Sequence, residues 1–205
     1  MSNVTLKLES SNYEKYLAET ELVNFSHRII QEKVQELFSD DQNEIDKVKV
    51  AFEFVRDQIS HSWDIQSSRI TCVASDVLQY QEGICYAKSH LLATLLRSQN
   101  IPTGFCYQRL MLFDTPEQGY CIHALNAVYI AKVDRWIRLD VRGNKSGINA
   151  QFSLEKEQLA FRIDSRLGEV DYSTIYINPH PKTIHVLKQN KNAIDMCRHH
   201  LPEYL

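Results

Sequence analysis

The feature that most constrains this chain is an apolar stripe that directly follows a glycine and a cysteine. Between Gly83 and Arg97, apolar residues recur near the 3.6-residue period of an α-helix. They are Ile84, Ala87, Leu91, Leu92, Leu95 and Leu96. Gly83 permits a tight turn into the segment, whereas Asn100 suits a left-handed cap and Pro102 forbids continuation. The pattern predicts a buried amphipathic helix that starts beside Cys85.

Cys85 lies in the first turn of this predicted helix. Unpaired N–H groups and the positive end of the helix dipole favour a thiolate there, so Cys85 is a candidate nucleophile. The alternative is a small core residue. The five cysteines are odd in number, irregularly spaced and without a Cys-x-x-Cys pair, so we expect no disulfide framework and no metal site. No cofactor is expected either. They are Cys72, Cys85, Cys106, Cys121 and Cys197.

Further helices are predicted before this segment. Their approximate ranges are 25–38, 42–59 and a single turn at 74–80. Asn24 or Ser26 is the expected N-cap of the first helix. Asp41 and Glu44 resemble a capping box at the start of the second.

After Pro102 the apolar period changes to two, which indicates β-strands. The predicted strands cover about 105–112, 121–130 and 136–141, joined by turns at 114–119 and 132–135. Short turns favour antiparallel pairing. Helices followed by a meander of strands are typical of an α+β fold, with the Cys85 helix packed on an antiparallel sheet.

Signals are weaker beyond Gly147. Two short strands are predicted at 159–163 and 174–177, and helices are predicted to begin at Pro181 and Ala193. The sequence has no internal repeat, low-complexity linker or shift in composition, so we expect one domain over residues 1–205. Its core would span about 45–145, with the N-terminal helices and a C-terminal extension packed on it.

The charge pattern restricts the class of partner. The net charge is −3, and acidic and basic residues are mixed without a basic patch, which argues against a nucleic-acid partner. Apolar runs are too short to span a membrane, and the N-terminus does not resemble a signal peptide, so a cytoplasmic location is expected. The sequence leaves the oligomeric state open.

Three residues offer the parts that acyl transfer by a thiol requires. Cys85 starts the predicted core helix, His123 lies near the start of a strand, and Asp140 ends the strand expected to pair with it. In this arrangement Asp140 accepts the Nδ1–H of His123, and Nε2 faces Cys85. The alternative is a core cysteine, a core histidine and a capping aspartate.

These segments resemble the transglutaminase-like superfamily of cysteine enzymes, which shares a papain-like core. The matching pieces are 83–89 (Gly-Ile-Cys-Tyr-Ala-Lys-Ser), 100–105 (Asn-Ile-Pro-Thr-Gly-Phe), 123–129 (His-Ala-Leu-Asn-Ala-Val-Tyr) and 135–140 (Arg-Trp-Ile-Arg-Leu-Asp). The resemblance implies that Cys85, His123 and Asp140 match the family's catalytic triad. The chain departs from the family at Leu125, where many members carry an aromatic residue, and at Val141, where many carry proline. Both departures concern substrate and acceptor specificity.

The oxyanion of acyl transfer also needs hydrogen-bond donors. The backbone N–H of Cys85 is one expected donor. Trp63, Gln81 and Gln108 are candidates for the second donor or for substrate binding. For each, the alternative is a purely structural or solvated side chain. The remaining histidines, including His61, are expected to be structural or surface residues.

The resulting hypothesis is a thiol enzyme that acts on amide bonds through a thioester, either a protease or amide hydrolase or a transglutaminase-like acyltransferase. Its partner would be a protein or peptide substrate, or a small amide. Two alternatives remain. Arylamine N-acetyltransferases use the same Cys, His, Asp order, although their Arg-Gly-Gly-x-Cys approach is replaced here by Glu82-Gly83-Ile84 before Cys85. The other is a non-catalytic binding module with the same fold.

Overall fold

A computed structural model describes residues 4–112 and 115–205 of the chain, without the side chain of Pro116. The described residues form six α-helices, which are α1 (Arg28–Leu37), α2 (Glu44–Gln58), α3 (Ala74–Tyr80), α4 (Cys85–Arg97), α5 (Pro181–Gln189) and α6 (Ala193–His199). They also form eight strands, which are β1 (Lys7–Leu8), β2 (Ser60–His61), β3 (Glu82–Gly83), β4 (Thr103–Met111), β5 (Tyr120–Ile130), β6 (Arg135–Leu139), β7 (Val170–Asp171) and β8 (Thr174–Ile175).

Four strands form an antiparallel sheet in the order β6-β5-β4-β7. Strands β4 and β5 pair along their length, from Thr103 opposite Val128 to Met111 opposite Tyr120. The turn between β5 and β6 contains Asp134 in the left-handed conformation. This sheet, with α4 packed against β5, confirms the predicted α+β class.

Helix α4 is buried on every side, not only along the predicted apolar stripe. All thirteen residues from Cys85 to Arg97 are buried, because α2 and α3 cover one side and the sheet covers the other. Leu91, Leu92 and Leu95 are completely inaccessible to solvent. Burial of each leucine contributes about 1.5–3 kcal/mol. The helix that carries Cys85 is therefore the centre of the hydrophobic core.

The polar side chains of α4 are paired inside this core. Nζ of Lys88 donates to the carbonyl oxygens of Arg56, Ile59 and Arg142 at 3.3, 2.5 and 3.2 Å. Its three N–H groups are thus satisfied by three acceptors, as burial of an ammonium group requires. These bonds tie α4 to the end of α2 and to the chain just beyond β6.

The predicted N-caps of the first two helices are wrong. Helix α1 is capped by His27, whose Nδ1 accepts from the N–H of Ile29, rather than by Asn24 or Ser26. Helix α2 is capped by Asn43, whose Oδ1 accepts from the two N–H groups of residues 45 and 46, rather than by Asp41. Several capping residue types stand side by side at both starts, and only one of them can take the capping position.

The C-terminal third departs further from expectation. Residues 159–163 form no strand and instead run irregularly past the end of the sheet. The strand predicted at 174–177 is only two residues long and pairs in parallel with β1. The helix expected at Pro181 is confirmed, with proline at its first position. Asp114, in the predicted loop, lies outside the described residues.

In the part of the chain that the structure describes, no helix has the length and apolarity needed to cross a membrane. The prediction of a single domain stays a prediction.

Candidate active site

A cleft of about 910 Å³ opens at the N-terminal end of α4. Cys85 and His123 line it together, beside residues from β2, the ends of β4 and β5, and the irregular segment around residue 160. Side chains that frame it include His61, Trp63, Cys121, Arg142, Lys145 and Phe161. The two residues that sequence patterns identified as nucleophile and base thus face the same space.

Cys85 is the first residue of α4 and is 8% exposed. Ile84 occupies the N-cap position without a capping side chain, so the first-turn N–H groups keep their capacity to bind a ligand. The hydroxyl of Tyr86 donates to the carbonyl oxygen of Ile122 at 2.7 Å and ties the helix start to the strand residue before His123. A Cβ on Gly83 would come within 2.9 Å of Thr71 Oγ1, so close packing requires glycine there.

His123 and Asp140 form a buried hydrogen-bonded pair. Nε2 of His123 donates to Oδ2 of Asp140 at 2.8 Å, and the two residues are 4% and 1% exposed. Cys85 lines the same cleft as His123, and the two side chains interact electrostatically. The expected use of the ring nitrogens is therefore reversed, because Nε2 meets the carboxylate and leaves Nδ1 for the thiol. The ring orientation depends on backbone positions that the sequence does not reveal.

The carboxylate of Asp140 is held by three N–H donors. Besides His123, the backbone N–H of Arg142 donates to Oδ1 at 3.1 Å and that of Ala160 donates to Oδ2 at 3.0 Å. Burial alone would raise the pKa of Asp140, but His123 and these backbone donors lower it. The group is consequently held as a carboxylate in the orientation that meets the imidazole.

The electrostatics of the pair favour a charged imidazole. Burial acts to lower the pKa of His123, but the charges of Asp140 and Cys85 and their hydrogen bonds outweigh it and raise the pKa to about 10. An imidazolium near a cysteine stabilises the thiolate, which is the nucleophilic form of the residue.

The segment around Ala160 supplies parts that the sequence patterns did not identify. The ring of Phe161 packs edge-on against His123, with centroids 5.0 Å apart and an interplanar angle of 82°. The N–H of Ala160 supports Asp140 directly. A backbone donor has no sequence signature, and the apolar pattern at 159–163 predicts a strand, so neither contribution follows from the sequence.

Charged groups stand at the rim of the cleft. The guanidinium of Arg142 forms two hydrogen bonds to Asp64, and Nζ of Lys145 reaches the same carboxylate at 2.6 Å. Burial would raise the pKa of Asp64, but the hydrogen bonds of Arg142 and Lys145 and the charges of Arg142 and His61 lower it strongly. The shared carboxylate fixes Arg142, whose backbone N–H holds Asp140.

The three candidates for additional substrate or oxyanion contacts differ in position. Trp63 lines the cleft and is half-buried, with the Arg198 guanidinium 5.7 Å from its ring. Gln81 is exposed at the left-handed end of α3 and does not line the cleft. Gln108 lies opposite His123 in the sheet, but it is buried away from the cleft. Only the position of Trp63 supports contact with a substrate.

Within residues 4–112 and 115–205, no group of three His, Cys, Asp or Glu side chains is arranged to hold a metal ion.

Residues 31–141, more than half of the chain, match the family described as "Transglutaminase-like superfamily". The chain belongs to this superfamily. A comparison with curated protein sequences found no match.

Two solved structures are similar to this chain. One is described as a "putative cysteine protease from Cytophaga hutchinsonii"; it shares 18% identity at a TM-score of 0.52, over 65% of this chain and 43% of its own. The other, described as "a TGase", shares 17% identity at a TM-score of 0.42, over 100% of this chain and 55% of its own. The first likeness supports a shared fold. The chain spans about half the length of both.

Proposed function

We propose that this protein is a thiol hydrolase of amide bonds, in which Cys85, His123 and Asp140 act as nucleophile, general base and orienting carboxylate. The observation that carries the proposal is the linked geometry at the start of α4. The thiol occupies the first helical position, the imidazole lines the same cleft and interacts with it electrostatically, and a carboxylate with two further N–H donors holds the imidazole. Membership of the superfamily agrees with this assignment, as does the description of one solved structure of similar fold as a "putative cysteine protease".

The reaction follows from these positions. The thiolate of Cys85 attacks the carbonyl carbon, and the resulting oxyanion faces the free N–H groups of the first turn of α4. When the C–N bond breaks, His123 gives its proton to the leaving amine and a thioester remains on Cys85. His123 then takes a proton from water, which attacks the thioester and releases the acid. The proton count is restored at the end of each cycle.

The cleft is open to water, which favours hydrolysis over transfer to an amine. Its volume of about 910 Å³ leaves room for a peptide segment or a small amide. An amine that enters the same space would accept the acyl group instead, which would make the protein a transamidating enzyme.

The proposal is tested with an activated acyl donor, because such a donor requires little specific recognition. The wild-type protein is mixed with p-nitrophenyl acetate, and the acyl group on Cys85 is followed by mass spectrometry of the intact chain. We expect a thioester on Cys85 that disappears by reaction with water. The matched variants Cys85→Ala and His123→Ala should both lose it.

Parallel samples separate the acceptors and the donors. Addition of a primary alkylamine measures transamidation, and replacement of the ester by acetyl-coenzyme A measures acetyl transfer of the arylamine N-acetyltransferase kind. Acylation of wild-type protein that does not require Cys85 or His123 would contradict the proposal and favour a binding module with this fold.

A further inference from the structure

His61 is brought to the active site by a two-residue strand pairing. Strand β2 runs parallel to β3, and His61 lies opposite Gly83, two residues before Cys85. The pairing is fixed on both sides, since the N–H of Ser60 donates to Gln81 and that of Ser62 donates to Gly83. Although far from Cys85 in sequence, His61 therefore has a backbone position locked to the approach of the nucleophile.

Two features of the His61 side chain bear on its role, namely its position in the cleft and the hydrogen bonding of its ring. It is half-buried and lines the cleft together with Cys85 and His123. Its Nδ1 atom is buried and has no hydrogen-bond partner among the residues that the structure describes. By contrast, the structural histidine His90 uses its buried Nδ1 to bond the carbonyl of Cys72 at 2.7 Å. The unpaired Nδ1 of His61 therefore bears on which ring nitrogen holds the proton.

The protonation state follows from the surroundings of His61. Burial and the nearby Arg142 lower its pKa well below the ordinary value; Asp64 opposes this change, whereas Lys88 and His123 add to it. The ring is therefore neutral at pH 7 and has one N–H. A buried N–H without an acceptor is costlier than an unused lone pair, so the proton belongs on Nε2. Because Nδ1 is shielded and the ring is half-buried, the edge that carries Nε2 meets the cleft.

We propose that the Nε2–H of His61 donates a hydrogen bond to the carbonyl oxygen of the acyl donor and, with the backbone N–H of Cys85, stabilises the oxyanion. This inference rests on the proposed function and adds a catalytic residue to it. A neutral donor suits the role, because a cation at this position would compete with the imidazolium of His123 for the thiolate.

Two reactions of the same thiol separate this role from a structural one. Acylation of Cys85 by p-nitrophenyl acetate passes through an oxyanion, whereas alkylation of Cys85 by iodoacetamide does not. Loss of one oxyanion donor lowers the rate of such a step by about 10²- to 10³-fold. We expect His61→Phe, which keeps a ring without the donor, to slow acylation to about this extent and to leave alkylation within about twofold of wild type. His61→Gln, which retains an N–H, should recover part of the acylation rate.

Two further variants complete the test. His199→Ala removes an exposed histidine outside the cleft and should leave both rates unchanged. Trp63→Phe removes the indole N–H, and a large fall in acylation for this variant alone would assign the donor to Trp63 and overturn the proposal. Equal acylation in wild type and His61→Phe would also overturn it, as would an equal fall in both reactions, which would make His61 a support for the fold. If Cys85 of the wild-type protein alkylates no faster than a free thiol, the proposed function itself fails.

Discussion

Polar side chains are buried near both ends of helix α4, but the two ends differ in how far the protein supplies their hydrogen-bond partners. At the C-terminal end, the guanidinium of Arg97 donates to the carbonyl oxygens of Ala18, Thr103 and Ile177. At the N-terminal end, Cys85 faces an open cleft and His61 keeps a buried nitrogen without a partner among the described residues. The satisfied end joins distant segments of the chain, whereas the unsatisfied end has the properties of a binding site. Whether the protein itself supplies hydrogen-bond partners therefore helps to distinguish a structural polar group from one in a binding site.

The largest expected effect concerns the N-terminal end. Replacement of Asp140 by asparagine removes the negative charge that stabilises the imidazolium of His123, so the acylation rate of Cys85 should fall by about 10²- to 10⁴-fold. The measurement is the rate of thioester formation with p-nitrophenyl acetate, together with urea denaturation to verify folding. Asp164→Asn is the matched control, because the Asp164 carboxylate bonds to Arg166, and neither residue lines the cleft. Acylation at the wild-type rate in Asp140→Asn would remove Asp140 from the mechanism.

The C-terminal end should show the opposite behaviour. Arg97→Met leaves the carbonyl oxygens of Ala18, Thr103 and Ile177 without this donor. At a cost of about 1 kcal/mol each, the free energy of unfolding should fall by about 3 kcal/mol. The alkylation rate of Cys85 in the folded protein should stay within about twofold of wild type. Arg166→Met, at an exposed arginine, is the control for urea denaturation. If Arg97→Met lost Cys85 reactivity but kept its stability, the two ends of α4 would not differ in the way described.

A smaller effect is expected from the segment that covers His123. Phe161→Ala removes an edge-on aromatic contact of about 0.5–1.5 kcal/mol, so acylation of Cys85 should slow by up to about tenfold. Phe152→Ala is the matched control, since Phe152 is also half-buried but packs against the helical core outside the cleft. Equal losses of acylation in both variants would mean that Phe161 acts only through general stability.

The sequence predicted the elements whose signals are local. Helix α4, the β5–β6 hairpin and the start of α5 at Pro181 follow from apolar periodicity and from proline. They place Cys85 and His123 on the correct elements, whereas Asp140 lies directly after β6 rather than at its end. The caps at His27 and Asn43 were missed because neighbouring residues compete for the same role. These errors shift helix ends by a few residues and do not alter the fold.

The parts of the site that sequence could not supply depend on non-local contacts. His61 reaches the cleft through a pairing of two residues with Gly83, which is too short to leave a periodic pattern. The support from Ala160 is a backbone N–H, which any residue except proline would provide. The choice of Nε2 rather than Nδ1 for Asp140 is decided by ring orientation in the folded state.

The most direct test of the central claim is the rate of iodoacetamide alkylation at Cys85 as a function of pH, read by peptide mass spectrometry in wild type and His123→Ala. Because the pKa of His123 is raised to about 10, its imidazolium should persist from acid pH to well above neutrality. Alkylation should therefore continue at about pH 6, where an ordinary cysteine with a pKa of about 8.5 is almost entirely a thiol, and His123→Ala should lose this reactivity. An alkylation rate that rises with pH like that of free cysteine, and equally in both proteins, would contradict an activated Cys85–His123 pair.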